Sequence, residues 1–554
     1  MSGLTTTTSG DVATAASATL PVLLADDVPA RLLAHDATLW GPDAEAEAAQ
    51  RLGWLDVVKT SRPLLPRLAA LRAALAAEGV DRVVLCGMGG SSLAPEVICA
   101  TAGVPLVVLD STHPDQVATA IVDLERTVVV CSSKSGGTLE TDSQRRVFVE
   151  AFSAAGIDAA SRMVVVTDPG SPFAQLATDE GYREVFLADP TVGGRYSALT
   201  AFGLVPSALA GVDVAALLDD AADLVPCLGE APLQLAAALG GAGRAGRDKV
   251  VLVATGSTLV GFGDWAEQLI AESTGKLGRG LLPVVVAAGA PELRDPAADV
   301  HPITVDGPVT ALGSAVHGPL GAQLLAWEYA VAVAGRVLGI DPFDQPDVES
   351  AKVAARGLLD AQPEPAEPAF ADAGVQVFGT EGLLDGVTTL AGAVEALLAT
   401  LAPTGYLAVM AYLDRLRDAD LASVRAPLAR RTGRPVTFGW GPRFLHSTGQ
   451  FHKGGLPVGA FLQVTGLVQQ DLPIPDRPFT FGTLIAAQAA GDSAVLADHG
   501  RPVLRLHVTD QAGLDAVRAV LALRQSSRCP IRCEIRATDG CRASRPRARW
   551  WSSG

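Results

Sequence analysis

Residues 128–141 read VVVCSSKSGGTLET. A continuously apolar run stops at two serines and a lysine, passes two glycines and resumes with two threonines three apart. Three valines in succession suit a strand covered on both faces. Where such a strand passes into a helix, free backbone N–H groups and the helix dipole gather beyond the strand's carboxyl end. In an open parallel sheet that is where ligands collect. The hydroxyls of Ser133, Ser135, Thr138 and Thr141 add donors suited to a compact dianion, with Lys134 beside them, and the glycines allow close backbone approach. The competing reading is an ordinary Ser/Gly turn ending in an N-cap. The stretch is not a P-loop, because the G-x-x-x-x-G-K-[ST] spacing is absent.

Outward from this stretch the pattern repeats. RVVLCG, PLVVLD, RMVVVTD and EVFLA are short apolar runs alternating with helical stretches between residues 82 and 188. The pattern restarts with KVVLVATG (249–256) and LLPVVVAAG (281–289). Strands separated by helices predict parallel, doubly wound α/β sheets, here two of them. A third region carries strand-like RPVTFGWG, GAFLQVTG and PVLRLHVTD, and is expected to be an added C-terminal α+β unit. The expected boundaries are an N-terminal arm with helices over 1–50, a first α/β domain over 51–235, a second over 236–370 with the Pro-rich AQPEPAEPAF near its end, a C-terminal region over 371–520, and a tail over 521–554. That tail holds eight arginines against one Asp and one Glu and shows no periodicity. Disorder or an aberrant reading of the gene's end is expected for it, and it is assigned no function.

Composition narrows the classes. A chain of 554 residues exceeds one ordinary domain. With 49% hydrophobic and 19% charged residues it has the make-up of a packed soluble protein. A net charge of −17 repels phosphate polymers, so no nucleic-acid partner is expected. The first 21 residues contain neither Lys nor Arg and no continuous apolar core, unlike a secretory signal. No uninterrupted apolar run reaches the ~18 residues of a membrane span. A cytoplasmic protein without membrane association is the expectation. Cys86, Cys99, Cys131 and Cys227 lie in apolar contexts and read as reduced buried thiols.

Further motifs carry chemistry. CGMGGSSLAPE (86–96) also follows a strand and opens a helix, and places Gly90 and Ser91 at a strand end. Paired with the loop after residue 132, it suggests a small phosphorylated ligand held between two strand ends. Dinucleotide binding, with Asp110 as the ribose acid, is a weaker rival. VGGRYS (192–197) sets Arg195 after two glycines, suited to an oxyanion or to a structural loop contact. In QLIAESTGK (268–276), Glu272 arrives at a helix end and is a candidate base, whereas Glu267 reads as a surface charge. FDQPDVESAK (343–352) offers Gln345 and Lys352, and FLHSTGQFHKGG (444–455) offers His446, His452 and Lys453. Two histidines six apart match no usual zinc spacing, and no metal is expected.

Taken in order, GMGGSS, SSKSGGTLET, VGGRYS, QLIAESTGK and FDQPDVESAK resemble the glucose-6-phosphate isomerase (phosphoglucose isomerase) family, over roughly residues 50–360. The C-terminal motifs resemble its actinobacterial form, found also as the isomerase part of transaldolase fusions. The resemblance implies two sugar-isomerase (SIS) domains, a homodimer, no cofactor, and reversible isomerisation of glucose 6-phosphate and fructose 6-phosphate. It makes Ser133, Ser135, Thr138 and Thr141 the phosphate cradle and brings Gly90 and Ser91 to the sugar. Glu272 becomes the proton-shuttling base and Arg195 the residue facing the enediolate. Gln345 falls to the phosphate and Lys352 to the ring oxygen. One departure concerns the ring-opening histidine. In several bacterial members an LHSxGQ histidine follows the base by a few tens of residues, whereas here LHSTGQ comes only at His446. His446 is the expected residue, relocated in sequence but kept in space, with His317 the fallback. The rival functions are a non-catalytic sugar-phosphate sensor, which needs the 133 loop but not Glu272, Arg195 and Lys352 together, and an isomerase of mannose 6-phosphate or an amino-sugar phosphate.

Overall fold

The computed structural model describes residues 3–254, 256–361, 366–466 and 468–523. The reading of the basic tail therefore falls, beyond residue 523, outside the described residues, and the Pro-rich stretch does so in part.

The Thr-rich start is not a separate arm. Its β-branched residues form β1 (Thr5–Ser9), which pairs antiparallel with a strand more than 300 residues away. Ser9 Oγ donates to the Thr310 carbonyl at 2.6 Å, and Thr6 Oγ1 to the Ala231 carbonyl at 2.8 Å. The expected boundary at residue 50 therefore splits an element of the second sheet from its neighbours.

The first sheet holds β2 (Arg82–Gly87), β3 (Val107–Leu109), β4 (Thr127–Ser132), β5 (Met163–Thr167) and β6 (Glu184–Leu187). All are parallel, in the order β3-β2-β4-β5-β6. The winding reverses between β2 and β4, so the loops after these two neighbours flank the switch point, where a doubly wound sheet opens a crevice. Every residue of β4 is buried, as its unbroken apolar run requires. The second sheet repeats the winding with β7 (Lys249–Ala254), β8 (Leu282–Val286), β9 (Val300–Val305) and β10 (Gly313–His317), in the order β8-β7-β9-β10, with β1 closing the edge.

The third region is a mixed sheet of six strands: β11 (Phe370–Asp372), β12 (Val375–Gly379), β13 (Tyr406–Tyr412), β14 (Val436–Trp440), β15 (Gly459–Gly466) and β16 (Val503–Val508). β13 to β16 run parallel, and β11 and β12 add an antiparallel edge. One face of this sheet shares a core with the second sheet, through Tyr406, Met410 and Phe461 against Val251, Val284 and Val300. The helix Phe481–Asp498 also faces the first sheet, adding Phe481 and Leu484 to the core around Phe148 and Phe152. Among the described residues no helix is long and apolar enough to cross a membrane.

One charge pair is buried beside the shared core. Lys453 Nζ lies 2.6 Å from Asp492 Oδ1, with the two side chains 1% and 0% exposed. Stranding one buried charge of such a pair costs about 3–5 kcal/mol, whereas replacing both by apolar groups is far milder. K453M is thus expected to lower the urea midpoint sharply and the double variant K453M/D492L to recover most of it; equal losses would show that the pair does not hold this core.

Candidate active site

The loops after β2 and β4 build the cradle. Gly136 adopts φ +72°, and a Cβ there would lie 2.6 Å from Phe173 Cβ, so glycine alone fits this turn. The loop hydroxyls organise one another. Ser133 Oγ lies 3.0 Å from Thr138 Oγ1 and accepts the Gly136 N–H, while Ser135 Oγ accepts the Gly137 N–H. Thr138 precedes the helix Leu139–Ala154, which carries Glu140 and Asp142 in its first turn. Thr141 Oγ1 is buried there with no hydrogen-bond partner. Lys134 is paired to Asp168 at 2.7 Å. On the β2 side, a Cβ on Gly90 would sit 2.0 Å from the Gly194 carbonyl oxygen, so this glycine lets the Arg195 turn close onto the first loop.

Arg195 is buried and joins three segments. Its guanidinium donates to Glu272 Oε2 at 3.2 Å, to Gln345 Oε1 at 2.9 Å, and to the carbonyls of Pro342 and Asp344. Glu272 sits in the last turn of the helix Phe262–Thr274, 5% exposed, with Gln268 Nε2 at 3.4 Å from its other oxygen. Lys276, just beyond, fixes the 341–345 segment by donating to the Asp341 carbonyl and to Asp344 Oδ1 at 2.6 Å. Burial first, then the Arg195 charge, lowers the Lys276 ammonium from 10.5 to about 8 despite Asp344.

The third region supplies the rest. The turn Arg443–His446 brings the His446 ring to the first sheet, where Nε2 lies 3.1 Å from Glu140 Oε1. Burial would raise the Glu140 carboxyl, but the hydrogen bond and charge of His446 and the charge of Lys352 bring it below its ordinary value. Arg443 Nη1 reaches the fully buried Asp110 at 2.6 Å. Asp110 is thereby committed to arginine pairing, and the ribose role weighed for it has no free carboxylate to rest on. Gln450 accepts the Asp347 N–H and donates to the Gly275 carbonyl, tying the LHSTGQ segment to both the end of the Glu272 helix and the strap before Lys352.

These groups enclose a cleft of about 380 Å³ lined by ten of the twelve residues expected from sequence: Gly90, Ser91, Lys134, Ser135, Thr138, Arg195, Glu272, Gln345, Lys352 and His446. Ser133 and Thr141 stand behind the lining, buried. His446 is on the cleft and His317 is not; the latter ends β10 beside Thr5. Glu140, inside the TLET run, was not among the expected residues, nor was Gln268, although it opens the QLIAESTGK motif; Asp168 and Arg51 on the cleft carried no motif signal. Among the described residues one grouping has metal-ligand chemistry, His113, Asp115 and Asp414, and Arg417 already sits 2.5 Å from Asp115 there.

Residues 71–239 match the phosphoglucose isomerase family. Over this segment the chain is similar to phosphoglucose isomerases. Glucose-6-phosphate isomerase of Thermosynechococcus vestitus is 37% identical over 211 residues, 35% of this chain and 40% of that protein. A probable glucose-6-phosphate isomerase of Haloarcula marismortui is 37% identical over 213 residues, 37% of this chain and 49% of the relative. The chain thus spans less than half the length of these relatives. A hypothetical protein of Thermus thermophilus superposes with TM-score 0.55 at 25% identity, over 64% of this chain and 99% of its own. Glucose-6-phosphate isomerase of Chlamydia trachomatis shares the fold at TM-score 0.54 and 19% identity, over 66% of this chain and 90% of its own.

Glu267 corrects an expectation. Instead of lying on the surface it is half-buried and accepts a hydrogen bond from Ser447 at 3.2 Å, next to His446, because the third region covers this face of the helix. Burial, reinforced by the Asp264 charge, raises its carboxyl from 4.5 to about 8. The fold therefore keeps a proton that the unfolded chain has lost, so stability falls as pH rises from 4.5 to about 8 and then levels off. E267Q removes this titration. It is expected to melt with the wild type near pH 4.5 and above it beyond pH 8; a gap independent of pH would exclude Glu267 as its source.

Proposed function

We propose that the chain is a cytoplasmic glucose-6-phosphate isomerase, interconverting glucose 6-phosphate and fructose 6-phosphate through a cis-enediol, the step shared by glycolysis and gluconeogenesis. The observation that carries this reading is the buried Glu272 carboxylate, hydrogen-bonded by Arg195 in the same cleft as the hydroxyl cradle.

The cradle of Ser135 and Thr138, backed by Ser133 and Thr141, takes the phosphate, with Gln345 across from it. Holding the phosphate orients a chain whose reacting carbons lie at the other end, so remote binding energy serves the chemistry. Ring opening moves a proton from O1 to O5 between His446 and Lys352, breaking the C1–O5 bond and leaving the C1 aldehyde. Glu272 then removes the C2 proton, and the electron pair moves through C2–C1 to O1. Arg195, itself buried, stabilises that developing oxyanion. With a proton shifted from O2 to O1, Glu272 returns its proton to C1, and the carbonyl stands at C2. The substrate is oxidised at one carbon and reduced at its neighbour, so the balance requires no external redox partner.

A coupled assay of fructose 6-phosphate turnover, run beside E272Q, tests the reading. Loss of the base is expected to lower kcat by about 10²–10⁴-fold while sugar-phosphate binding persists. Binding without turnover in the wild type would instead leave a sensor.

A homodimer is what the family resemblance implies. Every side chain assigned here comes from one chain, since the third region supplies His446. Turnover per chain is therefore expected to hold constant on dilution through the range where sedimentation shows any dimer dissociating; a fall in step with dissociation would mean that the site needs its partner.

A further inference from the structure

Beyond Glu140, the hydrogen bonding of His446 continues into the interior. Glu140 Oε1, which His446 Nε2 meets at 3.1 Å, also accepts from Gln488 Nε2 at 2.8 Å. Gln488 Oε1 in turn lies 2.6 Å from Thr112 Oγ1. Gln488 and Thr112 are 5% and 0% exposed. Gln488 belongs to the helix Phe481–Asp498 of the third region, whereas Thr112 and Glu140 belong to the first domain.

The chemistry of these groups fixes their orientation. An ionised carboxylate only accepts, so Gln488 must turn its NH₂ to Glu140 and its carbonyl to Thr112, whose hydroxyl then donates. By the same rule His446 carries a proton on Nε2, and in the neutral ring Nδ1 then keeps the lone pair. A cavity of about 220 Å³, lined by Leu139, Glu140, Leu445, His446, Leu484 and Gln488 among others, opens beside this chain of bonds. Packing alone therefore leaves the amide room to swing, and the Thr112 hydroxyl is what holds it.

We propose that Gln488 and Thr112 are positioning residues that act through Glu140, so that a helix of the third region sets the tautomer and direction of the ring-opening histidine. The claim rests on the isomerase reading above. It assigns the third region two tasks, delivering His446 and fixing its proton, and it implies that damage at Gln488 impairs ring opening but not proton transfer at C2.

The test compares two sugars. Fructose 6-phosphate must be opened. 5-Deoxyfructose 6-phosphate lacks the O5 that closes a furanose, and its O6 carries the phosphate, so it stays an open ketone. Q488L is expected to lower kcat on fructose 6-phosphate about ten-fold, part of what general acid–base catalysis supplies, with KM little changed. Turnover of the deoxy sugar is expected to match the wild type, and Q488L is expected to add no further loss to H446Q. Nitrogen-15 NMR of the His446 ring should show the Nε2–H tautomer in the wild type and a mixture in Q488L. An equal loss on both sugars, a full additional loss in the H446Q background, or an unchanged tautomer would each overturn the proposal. If Q488L does not fold, T112V takes its place with the same expected pattern. A wild type that turns over neither sugar would overturn the isomerase reading, and the ring spectrum would still decide whether Gln488 sets the tautomer.

Discussion

The contact between Arg443 and Asp110 is the one on which the arrangement depends. Asp110 directly follows β3 of the first sheet with no solvent exposure, and Arg443 and Arg415 of the third region neutralise it together with Glu96. Burying an unpaired carboxylate is costly enough that the third region must be seated for the first sheet to be stable in this form. Once Arg443 is seated, His446 lies three residues along the same turn, within reach of Glu140. One ion cluster thus registers a distant segment against the cleft to within a hydrogen-bond length.

The rest of that segment extends the registration to the other walls. Ser447 bonds Glu267 and Gln450 bonds the Gly275 carbonyl, both on the helix and turn that present Glu272. Gln450 also holds Asp347, close before the helix Val348–Ala361 that carries Lys352. Glycines allow the close approaches, since a Cβ on Gly275 would meet Phe451 at 2.6 Å and one on Gly454 would meet Asp347 Oδ2 at 2.1 Å. Glu272, Lys352 and His446 therefore share one scaffold of short polar contacts. Small displacements of the third region would reach all three.

Charge in the cleft is arranged in pairs that leave each group a defined task. Arg195 is held by two carbonyls besides Glu272 and Gln345, so its position does not depend on the carboxylate it faces. Lys134 is occupied by Asp168, which makes it a wall of the cleft more than a free cation. Glu140 is kept below its ordinary value by His446 and Lys352 although it is buried, and so remains an acceptor on which the histidine can be aimed.

The amino-acid sequence by itself determined the strands, because continuous apolar runs such as VVVC have one stable use in a covered parallel sheet. It also indicated which loops would meet, for a related reason: hydroxyls, glycines and a helix start within ten residues are local chemistry, and the 133–141 loop and Glu272 do line one cleft. The role of the Thr-rich start, the burial of Glu267, the commitment of Asp110 to arginine and the linkage of His446 to Glu140 and Gln488 were decided only by the tertiary structure. Each joins residues separated by more than a hundred positions, and no periodicity or spacing encodes which distant side chain will arrive. His446 shows the boundary between the two. Its motif was legible as a motif, but its place in the cleft followed from an ion pair and a shared hydrophobic core that form only when three sheets pack together.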